Sequence, residues 1–137
     1  MACSIHFDPD SGIARVILTP GFTTDEIVDA FARAWSDPAW RWRALIDVRA
    51  GFPKDWSVEQ DSRSLVRFVQ ARKPAQAPRG RIAILVAREV DYGLARAFEI
   101  ISEPANTTDY LVTRSEAEAI AWLQASGEEP TDAPTTG

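Results

Sequence analysis

The segment from Arg81 to Ser102 constrains the fold of this chain more than any other stretch. It begins with six consecutive apolar residues, Ile82 to Ala87, and such a run is typical of a strand that is covered on both faces. The period then changes to that of an amphipathic helix. The predicted inner stripe contains Val90, Leu94, Ala97, Phe98 and Ile101, and the opposite side carries Tyr92, Arg96, Glu99 and Glu103. A buried strand leading into such a helix is half of a βαβ unit and predicts an α/β protein.

Length and composition indicate one globular domain. The chain has 137 residues, of which 45% are hydrophobic and 26% charged, and these values are globular rather than disordered or fibrous. The single cysteine, Cys3, excludes an internal disulfide framework. No apolar run approaches the ~20 residues that span a bilayer. The N-terminus has neither the basic start nor the apolar core of a secretory signal, so we expect a cytoplasmic protein without a transmembrane segment.

The net charge of −5 is concentrated at the C-terminus. The last eleven residues, 127–137, contain three acidic residues and no basic one. Without them, 15 basic and 17 acidic residues remain, which leaves a charge of −2 for the body of the chain. Because the positive and negative charges of the body are nearly balanced, the charge does not predict nucleic-acid binding. We expect one folded domain over residues 1–126 and a disordered acidic tail over residues 127–137.

Taken in order, the chain predicts the elements ββαβαβαβα. Two short strands, 4–7 and 13–19, flank a turn-rich link and predict an antiparallel hairpin at one edge of the sheet. Further strands are predicted at 44–48 and 108–113. Three capping boxes, which begin at Thr23, Ser57 and Ser115, mark the starts of three helices. Ser62, in the inner stripe of the second helix, is predicted to be buried and to hydrogen-bond back to the backbone.

Three stretches carry a resemblance to a known family. They are Leu45-Ile46-Asp47-Val48-Arg49, Tyr92-Gly93-Leu94-Ala95-Arg96-Ala97-Phe98-Glu99, and Ser115-Glu116-Ala117-Glu118-Ala119-Ile120-Ala121-Trp122-Leu123. They resemble the STAS domains, and within them the small bacterial SpoIIAA-like branch that is also likened to CRAL-TRIO lipid carriers. The resemblance covers about residues 4–124. It implies a single STAS-like domain, with a mostly parallel sheet, an antiparallel first strand and helices packed on the sheet.

The resemblance also implies a position for a modification site. In the anti-sigma-factor antagonists, a phosphorylated serine caps the helix after the third strand, within an Asp-Ser-Ser-Gly motif. By position, Ser57 is the corresponding phospho-acceptor in this chain. The local sequence is Asp55-Trp56-Ser57-Val58, so the second serine and the glycine of that motif are not present.

Side chains suited to catalysis are scarce. His6 is the only histidine and lies on a predicted edge strand, which does not favour a Ser-His-Asp arrangement. Cys3 has no histidine partner in the sequence. No Cys/His cluster has metal-ligand spacing, and no glycine-rich phosphate loop is present. We therefore predict no catalytic residues, no metal and no cofactor.

Topology predicts a candidate ligand site beyond the carboxyl ends of the strands, where open α/β sheets bind their ligands. The candidate residues are Asp47, Arg49, Trp56, Ser57, Arg88, Asp91 and Tyr92, with Glu89 beside them. The helix that starts at Ser57 would offer backbone N–H groups to an anion. The alternative interpretation is that these charged groups pair with one another and cap helices.

Two further features bear on partners. The second helix and the loop after it carry a basic side made of Arg63, Arg67, Arg72, Lys73, Arg79 and Arg81. This side indicates either contact with phosphates or an acidic partner, or an ordinary solvated helix face. The chain also contains five tryptophans, Trp35, Trp40, Trp42, Trp56 and Trp122, which are more than a small core needs. Some are expected near the surface, and on that ground we predict a homodimer.

Three functional hypotheses follow. The first is a non-enzymatic STAS-like regulatory domain that contacts an unidentified protein partner through the strand-end loops and exposed tryptophans. The second is a carrier for a small or amphipathic ligand such as a lipid, with a cleft beside the helix of residues 91–102. The third is an enzyme in which Asp47 and Asp91 act together in acid–base chemistry.

Overall fold

The computed structural model of the protein describes residues 3–36, 42–72, 79–105 and 108–125. The elements are β1 (Cys3–Asp8), β2 (Ile13–Leu18), α1 (Thr24–Trp35), β3 (Arg43–Asp47), α2 (Val58–Arg72), β4 (Gly80–Leu85), α3 (Glu89–Ser102), β5 (Thr108–Thr113) and α4 (Glu116–Gln124). A short 3-10 turn, Glu103–Ala105, follows α3. The predicted order is confirmed. Trp40, Lys73 and the acidic tail lie outside the described residues.

The five strands form one sheet in chain order, β1-β2-β3-β4-β5. β1 pairs with β2 in the antiparallel sense, with Cys3 opposite Leu18 and Asp8 opposite Ile13. All the other neighbours are parallel. The predicted α/β fold and its antiparallel edge hairpin are therefore confirmed. Because β2 to β5 are parallel, their carboxyl ends lie along one edge of the sheet, which we call the strand-end edge.

The apolar run of β4 supplies two cores, because successive side chains of a strand point to opposite faces. Ile82 and Ile84 face the larger core, which contains residues of α1, α2 and α3. Ala83 and Leu85 face a smaller core with α4. The sheet thus lies between a layer of three helices and a single helix, which explains why β4 is apolar from Ile82 to Leu85.

The inner stripe of α3 differs from the predicted one by one position. Val90 was placed inside by the apolar period, yet it is 61% exposed. The buried residues of α3 are instead Asp91, Ala95 and Ser102, and Phe98 packs against the same core. Hydrophobicity alone predicted that Val90 would be buried. Asp91 is buried in its place, because its carboxylate finds hydrogen-bond partners in the tertiary structure that the local sequence does not show.

The predicted capping boxes form to different extents. The box at α1 is complete. At α2, the hydroxyl of Ser57 accepts from the backbone of Gln60 as predicted, but the Ser57 N–H donates to Asp61. At α4, the serine caps the helix, whereas the carboxylate of Glu118 accepts a hydrogen bond from Thr113. All three helix starts were located correctly. The reciprocal bond of the box is the part that differs: at α2 Asp61 takes the place of Gln60 as its acceptor, and at α4 the carboxylate of Glu118 binds Thr113 and not the backbone of Ser115.

Ser62 is fully buried in α2, as predicted, but its hydroxyl does not bond back to the helix. Its Oγ has no hydrogen-bond partner among the described residues. A buried hydroxyl without a partner is destabilising, and alanine favours a helix more than serine does. We expect Ser62→Ala to raise the free energy of unfolding, measured in urea, by about 1 kcal/mol. Ser64→Ala, at a partly exposed position of the same helix, is the control for helix propensity, and equal gains would mean that the Ser62 hydroxyl is satisfied.

Two arginines from neighbouring strands hold the C-terminal end of α4. Arg43 of β3 donates to the carbonyl oxygens of Leu123 and Ala125. Arg81 of β4 donates to the carbonyl oxygen of Trp122 at 2.8 Å and also lies over its ring. Cations at a helix C-terminus stabilise the helix. Arg81, which the sequence grouped with the basic side of the second helix, therefore serves α4.

Candidate functional site

The seven candidate residues follow the carboxyl ends of β3 and β4, but the structure divides them among separate groups. The groups are Asp47 with Arg49, Arg88 with Asp91, Trp56 with Ser57 at the start of α2, and Tyr92 with Arg114. Each group has its own partners. The interpretation in which charges pair and cap helices describes most of these residues.

The first group lies on the side of the sheet covered by α4, and we call it the Asp47 cluster: Arg15, Asp47, Arg49 and Glu116. Asp47 accepts from Nη2 of Arg49 at 2.7 Å and from its Nε at 3.0 Å. Glu116 is 3.0 Å from Arg15 and 3.3 Å from Arg49. Two positive and two negative charges balance within the cluster, so it carries no net charge with which to attract an anion.

The pKa of Asp47 is lowered in the folded protein. Burial by itself raises it, but the hydrogen bonds from the side chain and backbone of Arg49, together with the charges of Arg49 and Arg15, outweigh burial. Since the folded pKa lies below the ordinary value of about 3.9, Asp47 contributes stability that is present above that pH and is lost as the pH falls through the folded pKa.

This shift predicts an acid-dependent difference between the wild type and Asp47→Asn. We expect the free energy of unfolding of the wild type to fall more steeply than that of the variant as the pH is lowered from neutrality to about 3. Urea titrations at a series of pH values measure both curves. Parallel curves would mean that Asp47 titrates alike in the folded and unfolded chains.

The second group ties the loop after β3 to the start of α3, and we call it the Asp91 clip: Gly51, Phe52, Arg88 and Asp91. Asp91 is only 1% exposed. Its carboxylate accepts from the backbone N–H of Phe52 at 3.2 Å and from Nε of Arg88 at 2.7 Å. The guanidinium of Arg88 covers Gly51, where a Cβ would come within 2.3 Å of Nη2, and the φ of Gly51 is +112°. The positive φ favours glycine there, and any larger residue would also have to displace the end of the Arg88 side chain.

The third group occupies the N-terminus of α2. The backbone N–H of Ser57 donates to Asp61 at 2.7 Å, and its Oγ accepts from the N–H of Gln60 at 3.1 Å. Asp61 also accepts from the hydroxyl of Thr24 at 3.0 Å, which joins α2 to α1. The chain's own carboxylate thus caps this helix. A bound anion, or a phosphate on Ser57, would meet the like charge of Asp61.

The side chain of Tyr92 has its own contact, separate from the Asp91 clip. It is half-buried at the start of α3, although its position in the helical period predicted an outward side chain. The guanidinium carbon of Arg114 is 5.3 Å from the centroid of the Tyr92 ring, which is a cation–π contact. Tyr92 therefore packs between the larger core and a basic side chain.

The acid–base hypothesis required Asp47 and Asp91 to act on one another. Asp47 is paired with Arg49 at 2.7 Å, and Asp91 is paired with Arg88 at 2.7 Å. Two carboxylates raise one another's pKa only when they are close and uncompensated. Because each has its own arginine, the structure offers no support for this hypothesis.

An apolar cavity lies between α2 and the sheet, and no candidate motif predicted it. Its volume is about 60 Å³. The wall includes Leu18, Ile46 and Ile84 of the sheet, Leu65 and Val69 of α2, and Phe98 of α3. No charged side chain lines it among the described residues. The cavity exceeds the ~10–15 Å³ that one water needs and is smaller than the ~150 Å³ cavity of another protein that binds benzene.

Helix α2 contributes only half-buried apolar side chains to the wall of this cavity. Leu65, Val66 and Val69 are half-buried, and the fully buried residue of α2 among those described is the polar Ser62. The helix packs mainly against α3 and α1. An element with few fully buried apolar side chains is among the first to open in local fluctuations. A molecule larger than the cavity would therefore enter by displacing α2.

Three aromatic rings line the cavity on the side of the loop after β3. Phe22, Phe52 and Trp56 pack together, with ring centroids 5.5 Å apart for Phe22 and Trp56 and 5.4 Å apart for Phe52 and Trp56. Trp56 is the one member of the predicted site that lines the cavity. Its Nε1 is buried and has no hydrogen-bond partner among the described residues. No sequence pattern links Phe22 to Phe52, because only the packing of the segment before α1 against the loop brings them together.

No family model, curated protein or solved structure matches this chain. The likeness to STAS-like domains rests on the stretches quoted above and remains a prediction. In the described ranges, no group of three or more His, Cys, Asp or Glu side chains is arranged to hold a metal ion. Over the same ranges, no helix is both long enough and apolar enough to cross a bilayer.

Cys3 and His6 occupy ordinary positions on β1. Cys3 is buried, and its Sγ lies 3.7 Å from the carbonyl oxygen of Glu26. Burial, and then the charge of Glu26, raises the pKa of the thiol, which makes it a poor nucleophile. His6 is exposed opposite Arg15, on the edge strand where it was predicted.

The basic side of α2 does not converge on one point. Arg63 pairs with Glu59 at 3.5 Å, and Arg79 pairs with Asp109 at 2.9 Å on the far edge of the sheet. Arg63 and Arg79 thus belong to separate ion pairs, and Arg81 hydrogen-bonds to α4. This arrangement favours the solvated helix face over a phosphate site.

The described tryptophans, Trp35, Trp42, Trp56 and Trp122, are all half-buried. The exposed large apolar side chains of the described ranges are instead Val90 and Ile100, each 61% exposed. The homodimer predicted from tryptophan content stays a prediction.

Proposed function

We propose that this protein is a non-enzymatic domain that binds a small apolar or amphipathic molecule in the cavity beneath α2. The observation that carries the proposal is the lining of that cavity, which is made of apolar side chains from the sheet and three helices. Ligand sites are typically apolar with a few placed polar groups. Side chains around this partly open apolar space also lack dispersion contacts on one side, which a bound apolar molecule would supply.

The size of the cavity limits the ligand. In the described conformation, about 60 Å³ accommodates only a very small molecule. A longer molecule fits if α2 moves outward. The inner face of α2 is only half-buried, so local opening of this helix costs little free energy. The likeness of the segment from Tyr92 to Glu99 to a branch compared with lipid carriers is consistent with such a ligand.

Binding of benzene, with pressurised xenon as the smaller probe, tests the proposal. We expect both probes to perturb the NMR signals of residues around the cavity, and benzene to raise the melting temperature progressively, with a logarithmic dependence on its concentration above the Kd. Ala95→Val enlarges a buried side chain in the cavity wall and should weaken xenon binding. Ala119→Val makes the same change in the smaller core beside α4 and should leave xenon binding intact. If neither probe perturbs the cavity residues of the wild type, the proposal is wrong.

A protein-contact domain is the second candidate, and the exposure of Val90 favours it. Val90 is 61% exposed and follows Arg88 and Glu89, both exposed, after the end of β4. An apolar side chain in this position suits a contact with a partner or a second copy. Pull-downs from native cytosol and light scattering at high concentration, each with Val90→Asp and the control Ile100→Asp, test this. A partner or dimer lost only in Val90→Asp supports the second candidate, whereas a monomer with no stoichiometric partner removes it.

A further inference from the structure

We infer that the indole N–H of Trp56 is the hydrogen-bond donor to the ligand, and that the cavity selects uncharged molecules with an apolar body and one acceptor, such as ketones or esters. The inference rests on the proposed function, because it concerns the same cavity. It adds the chemical class of the ligand and the residue that recognises it.

The first observation is the state of the indole nitrogen. Trp56 lines the cavity, and its Nε1 is buried without a hydrogen-bond partner among the described residues. A buried indole N–H usually has a partner, and leaving it unpaired is costly. Because an indole is a donor only, the missing partner must be an acceptor.

The second observation is that the other polar atom of the wall is already bonded. Tyr110 lines the cavity, and its hydroxyl makes hydrogen bonds with the side chains of Ser102 and Thr108. Burial nevertheless raises the pKa of Tyr110, which stays uncharged at neutral pH. Trp56 is therefore the polar group of the described wall that a ligand would satisfy.

The third observation excludes a charged ligand. No charged side chain lines the cavity among the described residues. A carboxylate or an ammonium group placed there would lose its hydration without an ion partner. The arginines among the predicted candidates are paired with carboxylates as well, Arg88 with Asp91 and Arg49 with Asp47. A single neutral acceptor is the polar group that this site accommodates.

The position of Trp56 also orients the ligand. Its ring packs against Phe22 and Phe52, and Phe52 is held by the Asp91 clip. The acceptor therefore lies beside the loop after β3. The apolar body extends from there beneath α2, toward Leu65 and Val69.

The test compares cyclohexane with cyclohexanone, which is similar in shape and has one acceptor. Affinities are measured by NMR titration for the wild type, for Trp56→Phe, and for Trp122→Phe, which alters a tryptophan beside α4. We expect Trp56→Phe to lower the ratio of cyclohexanone affinity to cyclohexane affinity about fivefold, as the loss of one hydrogen bond predicts, while Trp122→Phe leaves the ratio unchanged.

The negative outcomes differ in meaning. If cyclohexane binds the wild type but the ratio is the same in Trp56→Phe, the inference about the indole is wrong and the proposed function stands. If neither compound binds but xenon or benzene does, the inference is wrong and the proposed function stands; if xenon and benzene also fail to bind, both are wrong. If Trp56→Phe does not fold, a measurement on the wild type alone still tests the inference. The indole ¹⁵N–¹H signal of Trp56 is assigned through its contacts with Phe22 and Phe52. This signal should shift downfield with cyclohexanone and not with cyclohexane. An equal shift with both compounds also overturns the inference.

Discussion

Asp91→Ala should lower the free energy of unfolding by about 2–3 kcal/mol, although it removes a charged residue from a helix near the surface. Asp91 is buried, and its carboxylate accepts from the N–H of Phe52 and from Arg88. The substitution leaves the Phe52 N–H without its charged acceptor and leaves a cavity where the carboxylate was, beneath the loop. The exposed guanidinium of Arg88 returns to water and adds little to the loss. Urea unfolding of wild type and variant measures the difference.

Two further variants isolate the cause. Asp91→Asn keeps an acceptor for Phe52 and removes only the charge, so it should lose less stability than Asp91→Ala. Glu89→Ala removes an exposed carboxylate from the same first turn of α3, where both residues complement the helix dipole. If Glu89→Ala and Asp91→Ala cost the same, the helix dipole alone would explain the effect and the clip would contribute nothing.

The clip also connects stability to the proposed site. Phe52 and Trp56 lie in the loop segment that follows Gly51 and line the cavity. We expect Asp91→Ala to weaken benzene binding as well as stability, because the aromatic wall is no longer held against α3. Asp47→Asn, which alters the opposite side of the sheet, should leave benzene binding unchanged.

Gly51→Ala should lower the free energy of unfolding by about 2 kcal/mol, because alanine is strained at the backbone angle that Gly51 adopts. The φ of Gly51 is +112°, and the new Cβ would also meet the guanidinium of Arg88 at 2.3 Å. The end of a flexible arginine can move, but only by loosening its bonds to Asp91. Thermal and urea unfolding measure the loss.

The other glycines provide matched controls. Gly21 has a φ of +100° and open space around its Cβ position, so Gly21→Ala reports backbone strain without a collision. Gly93 is inside α3 with open space, and Gly93→Ala should stabilise the protein by about 1 kcal/mol. In the Arg88→Ala background, Gly51→Ala should cost less than it does in the wild type, by the part of the loss that comes from the collision. If Gly51→Ala and Gly21→Ala cost the same, Arg88 does not constrain the loop.

Most of the fold could be predicted from local patterns, because those patterns reflect short-range physics. The apolar run before Ala87 predicted a strand with two covered faces, and β4 has them. The capping residues Thr23, Ser57 and Ser115 located three helix starts. Each signal depends on neighbours within four residues, so the sequence alone expresses it.

The candidate site was predicted less well, because it depends on contacts between distant segments. Asp91 was placed at the strand-end edge, but neither its burial nor its bond to Phe52, 39 positions away, could be seen in the sequence. Val90 was predicted to be buried because it is hydrophobic, but it is exposed because distant contacts turn Asp91 inward in its place. The bond from Ser57 to Asp61 and the unpaired hydroxyl of Ser62 likewise follow from how α2 packs.

By itself, the sequence determined the order of the elements, the antiparallel hairpin and the two covered faces of β4, since alternation and helical period act along the chain. Only the tertiary structure decided which strand-end charges pair with one another and where the interior is incompletely filled. Packing is a property of side chains from many elements at once, and a cavity between α2 and the sheet belongs to no single segment. For that reason, Trp56 was named among the candidates from its position in a loop, while its place in the cavity wall came from the packing of α2, Phe22 and Phe52.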